Sequence, residues 1–233
     1  MKHKEITLKN KREGKKAWLV GDLLFMLYRF CGRQLRNIIV YILFKLEGGG
    51  MYSLTLRHIA SVYHNVDIGM YSGGIVQALS GGFWPGTKIG RYCSIVPTAV
   101  AFSANHPMNT ISTHAVFYNP ALGFAKNDLL SRTNLIIGND VFIGHNAIIT
   151  SFVDSIGDGV VIGAGAVVGI HEHQNIPPYA VVVGNPAKIV RYRFSKEMIQ
   201  KLLQRRWWEK PIEELIPEFE DFRRPLENDS KIR

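Results

Sequence analysis

An apolar residue returns every six positions along much of this chain. Phe83, Ile89, Ile95 and Ala101 form one series, and Ile137, Ile143 and Ile149 a second. After a slip of one residue, Ile156, Ile162 and Val168 form a third, while Leu56, Val62 and Ile68 extend the spacing towards the N-terminus. A helix repeats near 3.6 residues and a half-buried strand at 2, so neither accounts for the period. Six residues suit one short strand and a turn, and three such units close a triangular coil, which is a β-helix. Gly follows the aliphatic at 69, 90, 138, 144, 157 and 163, where the reading assigns it to turn geometry. Four positions after the aliphatic stands a small or β-branched residue (Thr87, Cys93, Ala99, Val141, Ala147, Val160, Ala166) suited to a corner. Such coils bury their apolar rows only against one another, so both ends need caps.

The period stops at AFSANHPMNTISTHAVF (101–117) and resumes only after Asn134. Ala101 is the last residue in phase, and His106 stands at the exit. A prism wall is flat, so an excursion of this length offers a way to enclose a small ligand.

The N-terminus differs in composition. Residues 1–16 are rich in Lys, and 17–46 are the most apolar stretch, interrupted by Asp22, Arg29, Arg33 and Arg36 on one helical stripe. These interruptions argue against a membrane span. They predict one or two amphipathic helices ended by Gly48-Gly49-Gly50. Two roles are open: a cap on the prism, or a peripheral membrane contact through residues 1–46. The net charge of +9 is compatible with nucleic acid, anionic lipid or an anionic cofactor, but no nucleic-acid-binding motif accompanies it, so nucleic acid is not expected. Cys31 and Cys93 lie far apart without metal spacing and read as small buried hydrophobes in a reducing, cytoplasmic setting, with peripheral contact at the inner membrane face left open. The expected organisation is a leader with helices (1–50), a β-helix (51–194) with a loop at 106–134, and a C-terminal helix and tail (195–233).

Several segments carry a family resemblance. IGAGAVV (162–168), IPPYAVVVGNPAKIVRYRFS (176–195) and RRWWEKPIEEL (205–215) resemble the left-handed β-helix, hexapeptide-repeat acyltransferases. VDIGMYSGG (66–74), IGRYCSI (89–95), the HxxNxxST run at 106–113 and IGNDVFIG (137–144) are similar to the xenobiotic branch, with streptogramin and chloramphenicol acetyltransferases. The resemblance spans about residues 55–216. It implies a mainly β, left-handed parallel β-helix, a homotrimer with sites between prisms, and acetyl-CoA as acyl donor.

It further implies that His106 is the catalytic base, since a neutral imidazole can take a hydroxyl proton near neutral pH. Tyr71, Asn105, Asn109 and His114 fall near the acceptor, with His114 alternatively bracing the loop. His145, Ala164, Gly169, Lys188 and Arg191 match CoA-contacting positions. The chain departs from the pattern in its longer link at 171–174 and in Phe142, where Trp is usual. The acceptor is a small-molecule or glycan hydroxyl. The anchor-like N-terminus points to a saccharide or surface-glycan intermediate, with antibiotics as the alternative. Two other classes compete, a non-catalytic scaffold and a metal-dependent hydratase. A hydratase needs three converging histidines, which His145 and the nearby pair His171 and His173 do not supply by spacing, so no metal is expected.

Overall fold

Three ladders run along the computed structural model, which describes Gly14, residues 16–169 and residues 174–226. The first face stacks β1 (Asp67–Ile68), β2 (Lys88–Ile89), β5 (Ile136–Ile137), β8 (Val153–Ile156) and β11 (Gln174–Ile176). The second stacks β3 (Ser94–Ile95), β6 (Phe142–Ile143), β9 (Val161–Ile162) and β12 (Ala180–Gly184), and β13 (Ala187–Tyr192) closes its end antiparallel to β12. The third holds β4 (Val100–Ala101), β7 (Ile148–Ile149) and β10 (Val167–Val168). The chain visits the faces in turn, and successive coils pair in parallel, as a β-helix requires.

The six-residue register stacks like on like. Ile68, Ile89, Ile137, Ile156 and Ile176 align on the first face, and Ile95, Ile143, Ile162 and Val182 on the second. Ala101, Ile149 and Val168 align on the third. All are buried, each contributing about 1.5–3 kcal/mol when it is a full-sized aliphatic. The corner residues Thr87, Cys93, Ala99, Val141, Ala147, Val160 and Ala166 are buried too, and burial pushes the Cys93 thiol up to about 12.

The glycines do a different job from the one expected. None of the six that follow the aliphatics has a positive φ. The left-handed residues come two positions later: Tyr71, Tyr92, Asp140, Gly159 and Tyr179 at the first corner, with φ between 54° and 69°. What the glycines supply is space. A Cβ on Gly144 would lie 2.7 Å from Ala164 N, and one on Gly157 would lie 2.6 Å from Pro178 N, both backbone atoms of the next coil.

The spacing also misled at its N-terminal end. Residues Leu54–His64 form a helix (α3, following α1 at Trp18–Tyr28 and α2 at Arg33–Leu46), so Leu56 and Val62 are not coil positions. Ser53 caps α3 by accepting from Leu56 N, and Leu56, Ile59 and Ala60 make its buried stripe while Val62 is exposed. A short helix, α4 (Ile75–Ser80), interrupts the first coil.

The predicted charged stripe falls on two helices. Asp22 is on α1, Arg29 is its C-cap, Arg33 and Arg36 are on α2, and Gly32 lies between as the N-cap of α2. Arg36 Nε donates to the Tyr28 carbonyl, joining the two. The helices pack over the first coil, with Tyr28, Ile39, Leu43, Leu56 and Ile59 continuous with the prism core. Buried Glu47 accepts from Ala17 N, the Ser53 hydroxyl, and the Thr55 amide and hydroxyl. Arg57 donates to the carbonyls of Gly50, Met51, Ser53, Gly69 and Ser72, and burial lowers it to about 10. At the other end, α5 (Lys196–Arg205), α6 (Ile212–Leu215) and α7 (Phe219–Arg223) fold back, with Trp207 against Tyr92 and the Tyr92 hydroxyl donating to the Lys210 carbonyl.

Candidate functional site

The excursion leaves the third face after Phe102, whose N–H still donates to Ile149 O, and rejoins the first face at Leu135, whose carbonyl accepts from Lys88 N. Its neck is tied by Thr133 N to Ser103 O at 3.0 Å and by the Thr133 hydroxyl to Ser151 O at 2.9 Å. Asn105 Nδ2 donates to the Ser151 hydroxyl at 2.9 Å, so this side chain fastens the loop root to the coil beneath.

His106 follows directly. Its Nδ1 lies 2.9 Å from the Thr113 carbonyl oxygen, and the Tyr118 hydroxyl also meets Nδ1. A carbonyl can only accept, so the Thr113 contact needs a proton on Nδ1; in the neutral ring Nε2 then holds the lone pair, and the Tyr118 hydroxyl accepts at Nδ1. His106 is exposed, and Nε2 makes no hydrogen bond among the described residues. A cavity of about 290 Å³ in the loop is lined by Thr110, Ile111, Ser112, Phe117, Tyr118 and Leu129, and Tyr118 connects it to the imidazole. His114 caps the turn Ala115–Phe117, its Nδ1 accepting from Val116 N at 3.3 Å, while Asn109 is exposed on the outer arm of the loop. The tie through Thr113 and Tyr118 had no sequence signal beyond an aromatic cluster in a polar excursion.

A second cluster sits at the corner between the second and third faces. His145 and Ala164 occupy equivalent places one coil apart, joined by Gly165 N donating to His145 O at 2.8 Å. Both are exposed, and the His145 ring is held by the Thr98 hydroxyl at 3.1 Å. Lys188 and Arg191 lie on β13 at the end of the second face. Three positions apart on a regular strand, they would point to opposite sides. The register with β12 shifts between Val181 and Val182, so Arg191 pairs with Val181 and Lys188 with Val183. Val181 and Val183 share a face, so this bulge turns both cations to the same side.

Two further expected site residues are packed within the single chain. Tyr71 is at the first corner, 2% exposed and stacked on Tyr92 at 4.7 Å, where it packs and is out of reach of a ligand within one chain. Gly169 is buried at the third corner with φ +81°, and its carbonyl accepts from the Thr150 hydroxyl. A Cβ there would meet Val153 Cγ2 at 2.6 Å, so within the chain Gly169 allows close packing of the coil. Among the described residues no three His, Cys, Asp or Glu side chains converge on a metal position, and His171 and His173 fall outside those residues.

Relatives with curated names share this layout's sequence. A probable macrolide acetyltransferase of Lysinibacillus sphaericus is 36% identical over 139 residues, covering 57% of this chain and 74% of that one. This chain belongs to the hexapeptide-repeat acetyltransferase family. A chloramphenicol acetyltransferase of Agrobacterium fabrum is 41% identical over 133 residues, covering 54% of this family member and 61% of that protein. The match thus spans less than two thirds of the chloramphenicol acetyltransferases' own length. A solved galactoside acetyltransferase in complex with coenzyme A is 20% identical, with a TM-score of 0.40 over 74% of this chain and 78% of that one. No protein-family model matches the chain.

Proposed function

We propose that this chain transfers an acetyl group from acetyl-CoA to a hydroxyl of a small acceptor, with His106 as general base. The bond from His106 Nδ1 to the Thr113 carbonyl carries the reading, because it leaves Nε2 as the basic nitrogen, and Tyr118, which meets the same ring, lines the loop cavity. Nε2 takes the acceptor's proton, and the Thr113 carbonyl and Tyr118 oxygen stabilise the charge that develops on the ring.

Acetyl-CoA supplies the activated acetyl carbon. The exposed corner fits such a ligand: a Cβ on Gly165 would meet nothing within 4 Å, so the wall beside Ala164 lies open to a slender chain. Lys188 and Arg191 would hold phosphate oxygens from one side. The chain would assemble as a homotrimer, the loop of one copy facing the corner of the next. Outward Ile136 and Phe142, both exposed in the single chain, suit such contacts.

The cavity wall of Ile111, Phe117 and Leu129 favours an acceptor with an apolar body, and the names of the relatives point the same way. A saccharide on a lipid carrier is the second reading, supported by the exposed apolar side of α1. Free thiol release from acetyl-CoA across chloramphenicol, macrolides, streptogramins and sugars separates the two. His106→Ala should lower turnover on the best acceptor by ~10²-fold or more with the fold intact. Turnover within about tenfold of the parent would remove His106 as the base.

A further inference from the structure

We infer that the outward side of α1 seats on an anionic phospholipid bilayer. This inference does not depend on the catalytic reading. Helix α1 is apolar on two sides. One side, with Gly21, Leu24, Phe25 and Tyr28, packs into the core, and a Cβ on Gly21 would lie 2.8 Å from the Thr55 hydroxyl of α3. The opposite side carries Leu19, Leu23, Met26 and Leu27 at helical spacing, continued by Phe30 just past the helix end. Their exposures are 86%, 52%, 57%, 44% and 82%, so they stand largely uncovered among the described residues. Contiguous exposed apolar surface of this kind marks a binding face.

Its surroundings select the occupant. The acid on α1, Asp22, is neutralised by Lys16 at 2.8 Å. Arg29 flanks the apolar stripe and Arg33 follows it, both exposed. A second copy would bring like charge against like, whereas anionic headgroups would neutralise it. Trp18, 70% exposed beside Lys16, suits the headgroup level. Among the described residues no helix is long and apolar enough to cross a membrane, which leaves an in-plane seat. On α2, Leu35, Ile38 and Leu46 are exposed as well and can enlarge the contact.

Flotation of the full chain with vesicles tests this. Vesicles of phosphatidylcholine mixed with phosphatidylglycerol should bind it at least roughly tenfold better than phosphatidylcholine alone, with binding falling as salt rises. The double variant Leu23→Asp with Phe30→Asp should lose roughly tenfold or more of that binding. Its melting temperature should match the parent's, since both side chains are exposed. Failure of the parent chain to bind the anionic vesicles would overturn the inference, as would undiminished binding by the variant. A parent chain that ignores vesicles but whose copies separate on introducing the two Asp residues would also overturn it, in favour of a contact between chains.

Discussion

Replacing Gly90 by Ala separates two explanations for the glycines of the repeat. Gly90 has no positive φ, so a turn-geometry account predicts a nearly neutral change. The coil contact predicts the reverse. An added Cβ would lie 2.6 Å from the Gly138 carbonyl carbon, with the Gly138 oxygen nearer still and Asn139 Oδ1 at 2.7 Å. Ordinary carbon contacts begin near ~3.5 Å, so about 1 Å must be taken up between two backbones already joined in a ladder. Parting them strains Gly90 N to Ile137 O at 2.8 Å and Arg91 N to Asn139 Oδ1 at 2.8 Å. Two weakened hydrogen bonds at about 0.5–1.5 kcal/mol each, with overpacking of about 1–3 kcal/mol, give roughly 2–6 kcal/mol. For a chain of this size that corresponds to a fall in melting temperature of roughly 4–24 °C. Gly32→Ala is the control, because its Cβ would meet nothing within 4 Å at an N-cap, where the change costs a few tenths to about 1 kcal/mol. Thermal melts followed by circular dichroism compare the two variants. If Gly90→Ala melts within about 2 °C of the parent, or no lower than Gly32→Ala, the coil-contact argument is wrong.

Removing the cations of the bulged strand should act on donor binding rather than on proton transfer. Lys188→Ala and Arg191→Ala should each raise the KM for acetyl-CoA by roughly three- to tenfold with kcat nearly unchanged, more so at low salt, and a fall in kcat alone would contradict the assignment. The α1–α3 contact should weaken in mild acid. Burial, with Arg36 nearby as the lesser cause, holds His64 below its ordinary value, and its Nε2 meets the Tyr28 hydroxyl at 2.9 Å. A depressed folded-state value means that the stabilisation is present above about pH 6.5 and is lost as pH falls below it. Melting between pH 7.5 and 5 should show this loss, smaller in His64→Gln; an equal loss in the variant would assign it elsewhere.

The prism was legible because its constraint is local and repeated. Each of Ile137, Ile143 and Ile149 occupies the same place in its strand, so the spacing alone carries the coil. Leu56 and Val62 satisfy the same spacing by coincidence, and the cap at Ser53 that decides for a helix is a single hydroxyl. His106 could be located because it stands where the period ends, and the resemblance gave it a role. Its partner Thr113 was invisible, because the group that binds Nδ1 is a backbone carbonyl placed by the return of the loop. Tyr71 shows a related limit. Its motif placed it near the acceptor, but its burial depends on Tyr92, a full coil later. The shared side of Lys188 and Arg191 likewise depends on a bulge, and a strand pattern read residue by residue would have opposed them.

The way the loop joins the prism has a consequence for how such a chain can change. β2 pairs with β5 as closely as adjoining coils do elsewhere, although the whole excursion lies between them in sequence. The ladder therefore does not register the length of what is inserted, and the bonds of Ser103, Thr133 and Ser151 hold the neck whatever lies beyond it. Doubling such an insertion adds only about 0.6 kcal/mol of closure entropy. Substitutions and length changes between Pro107 and Arg132 can then diversify the acceptor cavity while the scaffold stays untouched. The prism acts as a chassis on which new substrate preferences can be grafted without a new fold.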